Sequence, residues 1–188
     1  MRRTLVIMLK EPRAGRVKTR LGKDIGMVGA VWWFRHQVSG LLRRIEDPRW
    51  TVVLAVAPDS AVAGRAWPAR FQRAPQGQGD LGDRMARQFR SMPPGPVCVI
   101  GGDIPGVTRR HVARAFAALG SQDAVFGPAP DGGYWLVGLK RARAVPSGLF
   151  DGVRWSSETA LADSITSLGD HRVALVDELS DVDRAADL

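Results

Sequence analysis

Cys98 is the only cysteine in the chain, so no internal disulfide can form. It falls in an apolar stretch, where burial is the expected fate of a lone thiol. No apolar run approaches the roughly 20 residues needed to span a bilayer. The opening Met1-Arg2-Arg3 followed by Thr4–Leu9 imitates a secretory leader, but Lys10 ends the run too soon for one. A cytoplasmic protein with no membrane partner is therefore expected. His36, His111 and His171 are scattered, without the spacing of metal ligands. Aromatic side chains of the kind that stack bases are missing from the most basic stretch.

What is present suits a globular protein. A length of 188 residues, with 45% apolar and 24% charged side chains, predicts one domain over residues 1–188 with a substantial core. The net charge of +8 raises nucleic acid as a partner. Its distribution argues against that. The first 50 residues carry twelve Lys and Arg against four acids, and residues 151–188 carry nine acids against three Arg. That polarity suits a site with a cationic phosphate side and an acidic metal side.

The first predicted strand, Thr4–Leu9, is apolar on both faces, as a buried parallel strand requires. It runs into a loop with six cations between Lys10 and Lys23, among which Pro12 and Gly15 set turns. A solvated basic loop is one reading. The position, after a buried strand and before a helix, is where α/β proteins bind phosphate, and it favours an anionic ligand. The loop is not a Walker A motif, because Val17 stands where glycine must precede Lys18-Thr19.

Helical spacing of Ile25, Val28, Trp32, Val38, Leu41, Leu42 and Ile45 predicts a helix over 24–45, with Trp32 and Trp33 in core or rim packing. Strand Thr51–Ala57 follows, then a weaker strand at Arg70–Arg73. Gly77-Gln78-Gly79-Asp80-Leu81-Gly82 matches G-x-G-x-x-G, with Asp103 about 20 residues on, as in a dinucleotide fold. The segment before it is too polar for a central strand and comes too late in the chain, so a nicotinamide site is not expected. Strand Val97–Ile100 leads to Gly101-Gly102-Asp103, where the carboxylate faces either a ligand crevice or a simple turn. Thr108 caps a helix to Leu119, with Val107 and Val112 as a hydrophobic staple. Between strands Ala124–Phe126 and Trp135–Leu139, Asp131-Gly132 signals a hairpin, while Gly132 and Gly133 could let backbone amides approach an anion. Ser157 is placed to cap a helix to Leu168. After a last strand, Arg172–Val176, Ser180-Asp181-Val182-Asp183 reads as a capping box.

Several of these segments together resemble small bacterial nucleotidyltransferase-like proteins of the nucleotide-diphospho-sugar transferase superfamily, once described only as a domain of unknown function. Their pattern Lys-x-Pro-x-x-Gly-x-Val-Lys-Thr-Arg-Leu is met by Lys10, Pro12, Gly15, Val17, Lys18, Thr19, Arg20 and Leu21. Leu81-Gly82-x-Arg84-Met85, Asp103-x-Pro105 and Gly127-Pro128-Ala129-x-Asp131-Gly132-Gly133-Tyr134 continue the match, the last being the most specific. Trp155-Ser156-Ser157 departs from the family's Trp-Ser-Thr, and Gly102 from its usual small side chain. Asp181 and Asp183 meet its closing Asp-x-Asp.

The resemblance implies a three-layer α/β/α sandwich around a mainly parallel sheet, of the type called GT-A. It implies nucleotidyl transfer with Mg²⁺ or Mn²⁺ as cofactor. The nucleoside triphosphate would meet Lys10, Gly15, Lys18, Arg20, Gly77, Gly79, Gly82 and Arg84. Lys18, Arg20 and Asp103 would act in catalysis, and Asp103, Asp181 and Asp183 would hold the metal. A small phosphorylated or carboxylated acceptor would sit at Asp131, Gly132, Gly133, Tyr134, Trp155 and Ser156, and pyrophosphate would leave. The alternative on the same fold is a glycosyltransferase with a nucleotide-sugar donor and Asp131 as base. A third reading is a non-catalytic protein that binds nucleotide or nucleic acid.

Overall fold

Residues 2–188 are described, in a computed structural model. The strands are β1 (Thr4–Lys10), β2 (Thr51–Ala57), β3 (Gln72–Pro75), β4 (Val97–Gly101), β5 (Ala124–Pro128), β6 (Tyr134–Leu139) and β7 (Val173–Leu175). They form a single seven-stranded sheet in the order β3-β2-β1-β4-β6-β5-β7. Every pairing is parallel except those of β6, which runs antiparallel to both β4 and β5. The expected hairpin at Asp131-Gly132 is therefore present. Its reversal has a functional effect: the β5–β6 loop emerges at the edge where the parallel strands end.

Helices cover both faces, as β1 shows by alternation. Leu5, Ile7 and Leu9 pack with Phe34, Val38, Leu41, Leu42 and Ile45 of α2 (Met27–Ile45) and with Val112, Ala115 and Phe116 of α4 (Arg109–Ala118). Val6 points the other way, toward Met85, Ala86 and Phe89 of α3 (Leu81–Ser91) and Ala160 of α5 (Ala160–Thr166). The result is the three-layer sandwich that the sequence predicts. Among the described residues no helix is long and apolar enough to cross a membrane. Cys98 is buried, and burial pushes its thiol well above the ordinary value.

Some expected boundaries move. The helix foreseen over 24–45 is two: α1 (Thr19–Ile25) ends at Gly26, whose φ of 83° breaks the chain direction before α2. The break rotates the first turns, so Ile25, Val28 and Trp32 are exposed rather than core, and Ala30 and Phe34 take the inner face. Asp80 caps α3 in a reciprocal box with Asp83, and the preceding β3 is an edge strand, which suits the rejection of a dinucleotide fingerprint. Thr159, not Ser157, precedes α5, because the Ser157 hydroxyl turns back to the Arg154 carbonyl at 2.6 Å. The capping box foreseen at Ser180 is not formed: Asp187 accepts the backbone N–H groups of Asp183 and Arg184, at 2.9 and 2.7 Å.

Candidate active site

The carboxyl ends of β1, β2 and β4 share one edge, and the loops leaving them build the site. After β1, Gly15 turns at φ 74° and Lys18 stands in the left-handed region, φ 45° and ψ 48°, directly before α1. That backbone sends the Lys18 side chain inward, where it is 7% exposed. Its Nζ lies 2.6 Å from Asp103, 3.0 Å from Asp183 and 3.3 Å from Asp181. Arg20, on the first turn of α1, reaches Asp183 at 2.8 Å. Asp103, after β4, and Asp181 and Asp183, in the segment beyond β7, thus meet around one lysine.

The close approach of Asp103 depends on Gly102. A Cβ there would strike the Leu9 side chain and stand 3.3 Å from Val38, so glycine lets β4's loop lie against β1 and α2. The electrostatics follow from the cluster. Burial alone would lower the Lys18 pKa, but the Asp103 charge and hydrogen bonds to Asp103 and Asp183 outweigh it and raise it. Burial, reinforced by the charges of Asp103 and Asp183, raises Asp181 despite Lys18. Burial also acts to raise Asp183, yet Lys18 and Arg20 together hold it below its ordinary value.

Three cavities run together along this edge. The first, about 460 Å³, is lined by Lys10, Arg13, Arg16 and Arg84, with Glu11, Asp59, Gly77 and Gln78. Arg13 is held by Glu11 at 2.7 Å, and Arg84 Nε donates to the Gly79 carbonyl at 3.0 Å. Lys10 and Arg16 make no ion pair among the described residues. These two also border the second cavity, about 380 Å³, which holds Lys18, Arg20, Asp103 and Asp183. Asp103 and Ser156 continue into the third, about 240 Å³, walled by Met8, Met85, Val99, Tyr134 and Trp155 with Asp131 and Asp181.

Most of the foreseen residues thus lie on one crevice, but not all in the foreseen roles. Gly79 and Gly82 are off its walls: a Cβ on Gly82 would come 2.8 Å from both Phe150 and Trp155, so this glycine serves packing beneath the third cavity. Gly15 makes a turn and lines none of the three cavities. The glycine amides of the hairpin are not offered to an anion. Gly132 N–H donates to the Ala129 carbonyl and Gly133 N–H to Asp131, at 3.2 and 3.0 Å. Gly132 is required instead by the Glu158 backbone, which a Cβ would strike. Tyr134 contributes its ring only, since its hydroxyl accepts from Ser164 at 3.1 Å and burial raises its pKa. No Lys or Arg lines the third cavity, so the expected phosphorylated or carboxylated acceptor finds no cation there.

Sequence reasoning missed Arg16 as a named contact, and it missed Asp59, which accepts Gly77 N–H at 2.9 Å. Asp59 follows the Pro that ends β2, a strand-end carboxylate of the same kind as Asp103. It also missed Met8 and Met85, because apolar wall residues look like core in a sequence.

Asp103, Asp181 and Asp183 offer hard oxygens suited to Mg²⁺ or Mn²⁺. The donor set fits such an ion, but Lys18 stands among the three. As arranged, no group of three His, Cys, Asp or Glu among the described residues is spaced to hold a metal.

A family model described as "Uncharacterized protein conserved in bacteria (DUF2064)" matches residues 41–157. No curated protein matches the chain. Among solved structures, a candidate nucleotide-diphospho-sugar transferase from Desulfovibrio desulfuricans G20 is 29% identical, with a TM-score of 0.90 over 98% of this chain and 84% of its own. Two more distant structures share the fold. Rv0371c of Mycobacterium tuberculosis, solved in complex with manganese, is 13% identical with a TM-score of 0.58 over 100% of this chain and 96% of its own. A CMP:2-keto-3-deoxy-manno-octonic acid synthetase complexed with CTP is 14% identical with a TM-score of 0.60 over 99% and 95%.

Proposed function

We propose, on the premise that this chain belongs to the DUF2064 family of bacterial proteins, that it is a metal-dependent transferase with a nucleotide donor. The observation that carries this reading is the continuous crevice: a cationic cavity, a lysine-carboxylate centre and an apolar cavity, in that order. A donor's phosphates suit the first, its reacting phosphorus the second, and an acceptor the third. The fold shared with a CTP complex and a manganese complex is in keeping with both ligand classes.

Nucleotidyl transfer from a nucleoside triphosphate is the preferred reaction. Lys10 and Arg16, which make no ion pair among the described residues, leave positive charge uncommitted for the outer phosphates of a triphosphate. Lys10 and Arg16 would bind the β- and γ-phosphates, and Lys18 would meet charge developing on the bridging oxygen. Asp103, Asp181 and Asp183 would hold a divalent ion, which supplies charge neutralisation at the phosphates. An acceptor oxygen forms a bond to the α-phosphorus while the bond to the β-phosphate oxygen breaks, and pyrophosphate carries away the electron pair. The cation-free third cavity suits an uncharged acceptor with an apolar body. Its hydroxyl proton would pass to Asp131, the one acid of that wall outside the lysine cluster.

Glycosyl transfer is the second reading, favoured by that same wall, since a hydroxyl acceptor beside a carboxylate serves either reaction. Product analysis separates them. A coupled pyrophosphate assay over the four nucleoside triphosphates and neutral alcohols should register pyrophosphate. Release of nucleoside diphosphate from a nucleotide-sugar, with no pyrophosphate from any triphosphate, reverses the order.

A further inference from the structure

Lys18 occupies a position that the proposed reaction cannot leave unchanged. Three carboxylates direct oxygens at its Nζ, from 2.6 to 3.3 Å. A divalent ion of the Mg²⁺ class would draw the same oxygens to roughly 2.0–2.1 Å. The ammonium and the ion therefore compete for one place. The contacts as they stand are those of N–H donors, and the three carboxylates are not spaced for a metal.

An exit is available to the ammonium. Lys18 lines the middle cavity together with Lys10 and Arg16, and these two also line the cationic cavity. A phosphate seated on Lys10 and Arg16 would offer Lys18 an anionic partner within the same connected space. Moving without that partner would leave a buried ammonium unpaired, which is strongly disfavoured. Staying in place while a dication enters would set like charges side by side.

We infer that Lys18 is the resident counter-cation of the metal site, and that a divalent ion displaces it weakly on its own and tightly when donor phosphates draw the ammonium away. This deepens the function proposed above and rests on it for the donor, though not for the exchange itself. Metal and nucleotide would then bind with positive coupling, each raising the other's affinity by the same factor. If Lys18 were instead a permanent tie between the β1 loop and the 181–183 segment, its removal would loosen the carboxylates and bring no gain in metal affinity.

The probe is Mn²⁺ alone, titrated calorimetrically into the full chain. Wild type should bind it weakly, and Lys18→Met at least ten-fold more tightly. The gain should vanish in Lys18→Met/Asp103→Asn, which places it at these carboxylates. Arg20→Met removes an equal charge from the rim of the cluster and should give a clearly smaller gain. Circular dichroism checks folding, and Lys18→Gln, which retains hydrogen bonding, replaces Lys18→Met if that variant fails to fold. An Mn²⁺ affinity in the Lys18 variants no higher than in wild type, or a gain equalled by Arg20→Met, overturns the exchange. Failure of the broader reading looks different: the Lys18 gain is present, yet no nucleoside triphosphate binds wild type with or without Mn²⁺.

Discussion

Arg154 closes a three-point clamp on Asp163, donating to its carboxylate from the backbone N–H at 3.1 Å, from Nε at 2.9 Å and from Nη2 at 2.8 Å. Thr159 adds a fourth donor at 3.1 Å. The clamp fixes the segment that carries Trp155 and Ser156 to the start of α5, and so fixes one wall of the apolar cavity. Ser156 is held at φ 59° there, a backbone that needs such support.

The clamp predicts an acid-sensitive wall. The side-chain and backbone hydrogen bonds from Arg154 hold the Asp163 carboxyl well below its ordinary 3.8. A carboxyl with a lowered folded pKa contributes stability that is fully present above the unfolded value and is lost as pH falls through the folded one. Tryptophan fluorescence should therefore change only well below pH 3.8, where the folded carboxyl takes up its proton, and before global unfolding by circular dichroism. Asp163→Asn should show the altered fluorescence at neutral pH and lose the acid step. Identical titrations for the two proteins would refute it.

Two glycines should differ in what they tolerate. Gly102→Ala meets flexible side chains, Leu9 and Val38, and should cost about 1–3 kcal/mol by urea denaturation, as overpacking does. Gly132→Ala meets the Glu158 backbone at a φ of +83°, where neither obstacle can move aside. Its cost should be the greater. The reverse order would mean that the hairpin loop, not the β1–β4 junction, is the adjustable part.

Lys10→Ala and Arg16→Ala should each weaken triphosphate binding by roughly 1.5–3 kcal/mol, the worth of a charge-assisted contact. Arg84→Ala should lose less, because its Nε is already committed to the Gly79 carbonyl. Titration calorimetry with each nucleotide decides. Equal affinities in all three variants and wild type would remove the cationic cavity from the donor site.

Asp131→Asn tests the proton acceptor. Turnover should fall about 10²–10⁴-fold, with donor affinity unchanged. Asp103→Asn should lower both, since under the proposed function Asp103 would hold the metal, and it contacts Lys18. Full turnover in Asp131→Asn would assign the proton to another group.

Much of this site could be read from residues at strand ends. Lys10, Asp103 and the Lys18 loop follow apolar runs long enough to be unmistakable strands, and parallel strands deliver their ends to one edge. Asp181 and Asp183 were legible only through family resemblance, because a short, partly exposed β7 gives little periodicity of its own. The hairpin at 131–133 is legible in the sequence, whereas the alternative use of its glycine amides for an anion is not decided there. A sequence shows that amides are accessible, but not that Ala129 and Asp131 already use them. Nor can spacing reveal Gly26 as a break, since one glycine inside a periodic run is compatible with a continuous helix. Lys18 was foreseen as a phosphate ligand. That it rests among carboxylates is a long-range contact no local pattern encodes.

The reversed strand β6 has one more consequence. Since it hands the β5–β6 loop to the edge where β1 and β4 end, the apolar cavity is walled largely by the chain's second half. The cationic cavity draws only on residues up to Arg84. Under the proposed function, choice of donor and choice of recipient are then inherited on separate stretches of sequence. A descendant could change what it modifies by altering one hairpin while its source of the transferred group stays the same.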